Sequence, residues 1–329
     1  MTLSSRRVLV TGAAGFIGAH LAARLLARGD EVLGLDSLTE YYDAGLKKAR
    51  LERLQADPRF SFERRDLAHS GLTEVFLSFA PDLVVHLAAQ AGVRHSLDSP
   101  HAYTSANVEG FLNVLEACRA YPVAHLIYAS SSSVYGANTK LPFSEDHRVD
   151  DPVSLYAVTK RTNELMAHTY AHLFGIPCTG LRFFTVYGPF GRPDMAYFKF
   201  TKAIIDGRPI EVYNHGRLRR DFTYIDDVTE AMLRLLEHIP QPQQCGTPHR
   251  IYNIGNHTPV ELGRFIEIIE EATGRAADKR FLPMQPGDVV ATYADVSRLA
   301  DAVGFAPSTP LEDGIAAFVA WYRDFYGAS

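Results

Sequence analysis

The chain has 329 residues, of which 47% are hydrophobic and 22% are charged, and its formal net charge is -5 at pH 7. This composition is typical of a globular protein of one large or two closely associated domains. The mild acidity argues against a nucleic-acid-binding surface. The three cysteines, Cys118, Cys178 and Cys245, are odd in number and far apart, which favours a reducing compartment, the cytoplasm, over a disulfide-linked or zinc-binding fold. We expect no membrane partner, because no apolar run reaches the roughly 18 residues that span a bilayer and the N-terminal apolar run is too short for a signal peptide.

The first predicted unit is a strand, a glycine-rich turn and a helix. Residues 7–10 form a short apolar run, glycines follow within residues 11–18, and the helix ends at Arg28. In a dinucleotide-binding unit, the first glycine permits a tight turn, the second lets the backbone approach a pyrophosphate, and the third lets the helix pack on the strand. The N-terminus of the helix then faces the phosphates. The candidate cofactor-binding residues here are Gly12, Gly15, Phe16, Ile17 and Gly18.

The second predicted strand, residues 31–35, ends at Asp36, eighteen residues beyond Gly18. A carboxylate at this place can accept hydrogen bonds from both ribose hydroxyls of NAD, and it would repel a 2'-phosphate. No arginine follows immediately. The segment therefore predicts NAD as the cofactor, in preference to NADP.

Strands and helices continue to alternate through residues 60–129. The alternation predicts an α/β fold, a Rossmann-type doubly wound parallel sheet, with ligands at the carboxyl ends of the strands. His86 lies inside an apolar strand, and we interpret it as a core histidine. Small residues after that strand would let a flat cofactor lie close, and a loop further upstream could contact adenine. The candidate cofactor-binding residues of these segments are Asp66, Leu67, Leu87, Ala88, Ala89, Gln90 and Asn107.

Residues 154–174 predict a long helix that contains Tyr156 and Lys160. Residues four apart lie on one face of a helix, and a nearby cation lowers the pKa of a tyrosine. The pair could therefore act as a general base near neutral pH. Taken alone, the spacing is more typical of an ordinary exposed helix face, whereas the serine run at residues 130–133 is equally typical of a polar loop.

After a sixth strand at residues 178–184 the elements become shorter. We expect a Rossmann domain at residues 1–182, with a segment at about 217–240 returning to it, and a smaller, mainly substrate-binding α/β domain at residues 183–329. Three arginines at positions 217, 219 and 220 could bind a diphosphate or form a solvated surface cluster. Residues 258–261 and 309–312 match the capping box, which predicts two helix starts.

Taken together, these segments resemble the extended short-chain dehydrogenase/reductases that act on nucleotide sugars, over essentially the whole chain. Within that family the chain is most similar to the glucuronate 4-epimerases. The resemblance implies tightly bound NAD, a UDP-sugar substrate, a Ser/Thr-Tyr-Lys catalytic set, and a homodimer formed by the helices near 101–120 and 154–174. The segments that support the closer match are residues 36–43, 46–51, 86–94, 188–196 and 220–227.

Individual roles follow from matching this family position by position. The catalytic residues are Ser131, Tyr156 and Lys160. Tyr156 and Lys160 also belong to the implied cofactor-binding set, in which Lys160 contacts a ribose. Glutamine 285 stands where galactose epimerases have an arginine that contacts the diphosphate. The resemblance assigns the sugar carboxylate to Thr185 and Arg192, and the nucleotide diphosphate to Arg220 and Asp288. The substrate-binding set implied is Ser131, Ser132, Ser133, Thr185, Arg192, Arg220 and Asp288.

The positions after Ser131 discriminate among the reactions of the family. Dehydratases have an Asp-Glu pair there and decarboxylases have a glutamate two residues on, whereas this chain has Ser132 and Ser133. The resemblance therefore implies 4-epimerisation of UDP-glucuronate to UDP-galacturonate. Three alternatives stay open: a UDP-glucose/UDP-galactose 4-epimerase, which Thr185 and Arg192 disfavour; a UDP-glucuronate decarboxylase; and a non-catalytic NAD-sensing module.

Overall fold

The computed structural model describes residues 5–69, 71–242, 246–284 and 289–328. Its strands are β1 (Arg7–Thr11), β2 (Glu31–Asp36), β3 (Phe60–Arg64), β4 (Leu83–His86), β5 (His125–Ser131), β6 (Cys178–Phe183), β7 (Thr185–Tyr187), β8 (Ile210–Val212), β9 (Arg219–Tyr224), β10 (His249–Ile254), β11 (Pro259–Glu261) and β12 (Lys279–Phe281).

The helices connect and cover these strands. They are α1 (Phe16–Arg28), α2 (Ala44–Gln55), α3 (Leu72–Phe79), α4 (His95–Asp98), α5 (Pro100–Tyr103), α6 (Gly110–Ala120), α7 (Leu155–Phe174), α8 (Ala196–Ile205), α9 (Ile225–Glu237), α10 (Leu262–Thr273), α11 (Ser297–Val303) and α12 (Leu311–Tyr326). A π-helical segment, Thr104–Glu109, joins α5 to α6, and Ser132–Tyr135 forms a 3-10 turn. None of the helices in the described ranges is both long enough and apolar enough to cross a membrane.

Seven of the described strands form one sheet in the order β3-β2-β1-β4-β5-β6-β10, and every neighbouring pair is parallel. Val8, Leu9 and Val10 of β1 are fully buried, as expected for a strand covered by helices on both faces. The register places Thr11 beside Leu35 and His86. The carboxyl ends of β1, β2 and β4 therefore meet at one edge of the sheet.

Helices pack on both faces of this sheet. Helices α1 and α9 cover one face through a core that includes Leu21, Leu25 and Met232. Helices α3, α6 and α7 cover the other face through a core that includes Phe76 and Phe111. The predicted α/β class and its doubly wound parallel sheet are therefore confirmed.

The shorter elements form a second layer with its own core. Strands β7, β9 and β11 make a three-stranded sheet, and β8 pairs with β12. Helices α8, α10 and α12 enclose an aromatic cluster around Phe222, Phe265 and Phe318. Because α9 and β10 follow β9 in the chain yet pack with the large sheet, the chain crosses between the layers more than once. The division at residue 183 stays our proposal.

The capping box expected at residues 258–261 is wrong. Residues Pro259–Glu261 form β11, which pairs antiparallel with β9, and α10 begins only at Leu262. Pairing with the open edge of β9 satisfies backbone groups that a capping box would otherwise bind. The tertiary context thus overrides the local signal.

The helix start expected at residues 309–312 is confirmed, but the capping box is not formed. Helix α12 begins at Leu311, with Pro310 in the capping position and no side-chain cap. Instead, Oδ2 of Asp227 accepts hydrogen bonds from the backbone N–H groups of Ser308 (3.0 Å) and Thr309 (2.8 Å). A carboxylate from α9 therefore holds the chain that enters this helix.

Candidate active site

The glycine turn after β1 is tightly enclosed. Gly12 has φ +71°, and a Cβ there would lie 2.8 Å from the backbone nitrogen of Ala88. A Cβ on Gly15 would lie 2.8 Å, and one on Gly18 2.1 Å, from the carbonyl oxygen of Gly12. The backbone N–H of Gly12 donates to the Leu35 carbonyl at 2.7 Å. Because these glycines have no side chains, a space stays open beside the N-terminus of α1. The N–H groups near Phe16 and Ile17 there have no intrahelical acceptor. A pyrophosphate fits this space and can accept hydrogen bonds from those groups.

Asp36, at the end of β2, has an oriented carboxylate. Its Oδ2 accepts from Ala14 N at 3.1 Å and its Oδ1 from Leu38 N at 2.8 Å. Burial lowers the pKa of Lys47, and the charge of Asp36 opposes that shift. The carboxylate therefore stands fixed beside the glycine turn, where it fits the diol of a ribose.

The segment after β4 is held by Thr11. Its Oγ1 accepts from the N–H groups of Leu87 (3.2 Å) and Ala88 (3.1 Å) and shares a hydrogen bond with Nδ1 of His86 (2.9 Å). Burial lowers the pKa of His86 to about 3, and its ring stacks on Phe111 with centroids 5.0 Å apart. His86 is thus a neutral core residue that helps orient the loop.

Asn107 fixes the other end of that loop. Its Oδ1 accepts from the backbone N–H of Gln90 at 2.8 Å, and its Nδ2 donates to the Gln90 carbonyl at 3.0 Å and to Oγ1 of Thr159 at 3.0 Å. Asn107 lies in the π-helical segment Thr104–Glu109, a geometry that is frequent at functional sites. The half-buried residues Leu87, Ala88, Ala89 and Gln90 therefore form a well-defined wall.

The loop after β3 reaches the same edge of the sheet. Asp66 is exposed and accepts from Ala68 N at 3.0 Å, whereas Leu67 is buried and its carbonyl accepts from Nδ2 of Asn113 at 2.7 Å. The structure leaves the Asp66 carboxylate accessible to a ligand.

Ser131 and Tyr156 lie together. Ser131 ends β5, and its hydroxyl hydrogen-bonds to the phenol of Tyr156 and accepts from the backbone N–H of Ser133 at 3.2 Å. Tyr156 stands in the first turn of α7, which Ser154 caps by accepting from Ala157 N at 3.1 Å. Capping at this point sets where the phenol is placed.

The expected effect of Lys160 on the pKa of Tyr156 stays a prediction. Burial raises the pKa of Tyr156; the hydrogen bond from Ser131 and the charge of Arg192 oppose the rise, and the carboxylate of Asp194 adds to it. Lys160 donates from Nζ to the carbonyl of Ala129 at 2.9 Å, and burial lowers its own pKa to about 8. The guanidinium of Arg192 is one cation that acts on the phenol, and the hydrogen bond of Lys160 directs its ammonium toward β5.

A buried ion pair connects the helix that contains Tyr156 to the large sheet. Nε and Nη2 of Arg182 donate to Oε1 (2.8 Å) and Oε2 (3.0 Å) of Glu164, and Ser130 Oγ donates to Oε1 at 2.7 Å. The side chains of Arg182 and Glu164 are 2% and 0% exposed. One carboxylate on α7 therefore joins the helix that contains Tyr156 to β5 and β6.

The substrate side is formed by the chain that follows β7. Thr185 is half-buried on β7. The backbone N–H of Arg192 donates to the hydroxyl of Tyr197 at 3.0 Å, and its guanidinium pairs with Asp194, Nε to Oδ1 at 3.0 Å and Nη2 to Oδ2 at 2.5 Å. Tyr41 donates to Oδ2 of Asp194 at 3.4 Å. The charge of this guanidinium acts on the phenol of Tyr156, and the pair of Arg192 and Asp194 is mostly enclosed.

The residues expected to bind the diphosphate are only partly described. Arg220 lies on β9, where its Nη1 donates to the carbonyls of Arg219 (2.9 Å) and Val290 (3.3 Å). Asp288 and Gln285 lie outside the described residues. The role of Arg220 stays a prediction.

Our sequence reasoning assigned no role to Arg50. This buried residue of α2 donates to the carbonyls of Ala14 (3.0 Å), Phe190 (2.6 and 3.0 Å) and Gly191 (3.2 Å) and to the hydroxyl of Tyr42 (2.7 Å). It joins the glycine turn to the chain that leads to Arg192. Tyr41 and Asp194 were also missed. Arg50, Tyr41 and Asp194 all lie in the segments that support the family resemblance, and this location is the feature of the sequence that could have identified them.

Comparison with known proteins places this geometry among relatives. Residues 8–255 match the model of the NAD dependent epimerase/dehydratase family. The chain is 50% identical to protein CapI of Staphylococcus aureus, covering 97% of this chain and 99% of the relative. It is 48% identical to a probable UDP-glucuronate 4-epimerase of Rhizobium meliloti, covering 97% and 98%. A crystal structure of UDP-glucuronic acid 4-epimerase from Bacillus cereus, in complex with UDP-glucuronic acid and NAD, superposes with a TM-score of 0.90 at 35% identity, covering 97% and 100%.

Proposed function

The chain belongs to the NAD dependent epimerase/dehydratase family, and we propose that it interconverts UDP-glucuronate and UDP-galacturonate by inverting C4 of the sugar, with NAD as cofactor. The observation that supports this most is the position of Arg192. The charge of its guanidinium acts on the phenol of Tyr156, which hydrogen-bonds to Ser131, so that one site offers a proton acceptor and a binding group for a carboxylate.

The described residues fit the cofactor. The glycine turn leaves room for a pyrophosphate at the N-terminus of α1, and Asp36 stands where a ribose diol would bind. When bound, NAD+ accepts the C4 hydride, returns it after the sugar has turned, and adds the positive charge of its oxidised ring to the site. Lys160, whose pKa of about 8 keeps it mostly protonated at neutral pH, adds a second positive charge.

Tyr156 and Ser131 handle the proton. In the proposed reaction the deprotonated phenol of Tyr156 takes the proton of the 4-hydroxyl, with the Ser131 hydroxyl bridging the two oxygens. The 4-keto sugar then rotates about its diphosphate linkage and presents its other face, and Tyr156 returns the proton. Burial raises the pKa of Tyr156, so nearby positive charge is required to make the phenol a base at neutral pH.

Arg192 and Thr185 restrain the sugar carboxylate. A 4-keto group next to the C5 carboxylate makes a β-keto acid, which loses CO2 when the C5–C6 bond aligns with the carbonyl π system. A guanidinium holds a carboxylate by two parallel hydrogen bonds and so fixes its orientation. Ser132 and Ser133 stand where dehydratases and decarboxylases of the family have acidic residues, which leaves epimerisation as the supported reaction.

Proton NMR of UDP-glucuronate with the purified protein and NAD tests the proposal. We expect UDP-galacturonate to accumulate toward an equilibrium mixture with no loss of carbon. Formation of a UDP-pentose as the main product would instead identify a decarboxylase. Turnover of UDP-glucose alone would identify a hexose epimerase, and bound NAD without turnover of either sugar would support a sensing module.

A homodimer through α6 and α7 is part of the proposal. Leu112 on α6 and Val158 and Leu165 on α7 are exposed apolar residues, and Leu165 is 52% exposed. Exposed apolar residues on two helices support a protein–protein contact there, and a two-fold pairing would bury this surface on both copies.

The cytoplasm is the compartment we propose. Cys118 and Cys178 are buried free thiols, and burial raises the pKa of both. Unpaired thiols of this kind are typical of proteins kept under reducing conditions.

A further inference from the structure

Arg192 already has a carboxylate partner within the protein. Asp194 binds the guanidinium edge made of Nε and Nη2, at 3.0 and 2.5 Å, and Tyr41 donates to the same carboxylate at 3.4 Å. The side chains of Arg192 and Asp194 are only 24% and 25% exposed. A bidentate pair in such an environment is well oriented, because the planar fork admits few other geometries.

The pairing leaves part of the guanidinium available. A guanidinium has five N–H donors, and Asp194 uses one from Nε and one from Nη2. The hydroxyl of Tyr41 also hydrogen-bonds to the guanidinium, which leaves two of the five donors. These remaining donors can take a second carboxylate while Asp194 stays in place.

The positive charge of Arg192 and the negative charge of Asp194 have opposite effects on the pKa of Tyr156. Burial works against the charged form of Arg192, but the attraction of Asp194 outweighs it and raises the pKa of the guanidinium. At Tyr156 the Arg192 charge lowers the pKa and the Asp194 charge raises it. Asp194 thus weakens the attraction of Arg192 for a further anion, and what it adds is orientation.

We propose that Asp194 is a positioning residue that clamps one edge of Arg192, so that the remaining donors hold the sugar carboxylate out of the geometry for CO2 loss. This inference rests on the proposed function. Loss of CO2 from the 4-keto sugar breaks the C5–C6 bond and leaves its electron pair in an enolate across C4 and C5. A proton then adds at C5 and gives a 4-keto pentose. The clamp acts by keeping that bond away from the π system.

The substitution Asp194→Asn tests the clamp. An amide keeps the shape of the side chain but opposes the guanidinium with its own NH2 donors, so the bidentate pair is lost. We expect the pentose fraction of the product to rise about tenfold and kcat to fall about tenfold, as for a misplaced binding group. The KM for UDP-glucuronate should not rise, because removal of the negative charge strengthens the attraction of Arg192 for the substrate.

The pH profile gives a second readout. Because the Asp194 charge raises the pKa of Tyr156, Asp194→Asn should move the acidic limb of the kcat/KM profile to lower pH. A residue that only stabilised the loop would not shift it in this direction. The charged or hydrogen-bonding groups that face or adjoin the phenol are Ser131 of β5, Tyr103 of α5, Lys160 of α7, and Arg192 and Asp194 of the following loop.

Matched variants separate the possible outcomes. Asp206→Asn removes a carboxylate from the exposed pair with Arg208 and should behave as wild type. Asp194→Glu restores the charge and should recover at least part of the epimer-to-pentose ratio. If wild type does not interconvert the two uronates, the proposed function is wrong and the clamp with it. If wild type does so and Asp194→Asn keeps the same product ratio, KM and acidic limb, the clamp alone is wrong.

Discussion

The ion pair beneath the active site gives a prediction with a definite magnitude. Glu164→Gln removes the charge that balances Arg182, whose guanidinium is 2% exposed, and leaves a buried cation without a counter-ion. Breaking a buried pair from one side costs about 3–5 kcal/mol. With about 2.1 cal/mol/K of unfolding entropy per residue, or about 0.7 kcal/mol/K for 329 residues, the expected fall in Tm is about 4–7 °C.

The chain offers a matched control on the same carboxylate. Arg161 also pairs with Glu164, at 3.1 Å, but its side chain is 29% exposed. Partly solvated pairs contribute about 0–1 kcal/mol, so Arg161→Met should lower the Tm by no more than about 1–2 °C. Differential scanning calorimetry of the wild type and the two variants measures both effects. A Glu164→Gln variant that melts no lower than Arg161→Met would refute the assignment of a dominant buried pair.

Two further predictions concern the cofactor and the catalytic lysine. Because burial lowers the pKa of Lys160 from 10.5 to about 8, the unfolded chain binds more protons between these values, and wild-type stability should rise with pH across that window. The stability of Lys160→Met relative to wild type should therefore increase as the pH falls from about 10.5 to about 8, although the variant loses activity. A stability difference that stays constant across this window would contradict the reasoning. Asp36→Ala should weaken NAD binding about tenfold or more, because a charge-assisted hydrogen bond to the ribose is lost. The preference for NAD over NADP should also become smaller. Titration calorimetry with both dinucleotides measures the two effects, and an unchanged preference would show that Asp36 does not contact the cofactor.

Features that depend on local pattern and strand polarity could be predicted from the sequence. The turn at Gly12 requires a positive φ and has no room for a Cβ, and glycine is the residue type that satisfies both conditions. Asp36 and Ser131 follow apolar runs, and parallel strands bring their carboxyl ends to one edge. Asp36 and Ser131 therefore lie at the carboxyl ends of β2 and β5, because chain order and strand polarity decide these two positions.

Features that depend on the direction of a side chain could not be predicted. Helical spacing places Tyr156 and Lys160 on one face, but the ammonium of Lys160 turns to the Ala129 carbonyl. The partner of Arg192 is Asp194, two residues on, and nothing in a period of 2 or 3.6 indicates that pairing. Such contacts are set by the space that the packed elements leave, which a single sequence does not encode in its periodicity.

Strand β10 is synthesised well after the other strands of the large sheet, which affects how the chain can fold during translation. Strand β6 pairs with β5 on one side and with β10 on the other. Residues 184–248 lie between the end of β6 and the start of β10. At about 5–20 residues per second, the nascent chain exposes the unpaired backbone of β6 for several seconds, a period in which an open edge can pair with other chains. Thr185 and Arg220 have been synthesised by the time β10 emerges. The sheet that would bind the dinucleotide is therefore completed only after these two residues of the substrate side have been synthesised, and a chain interrupted before β10 would keep one edge of β6 unpaired.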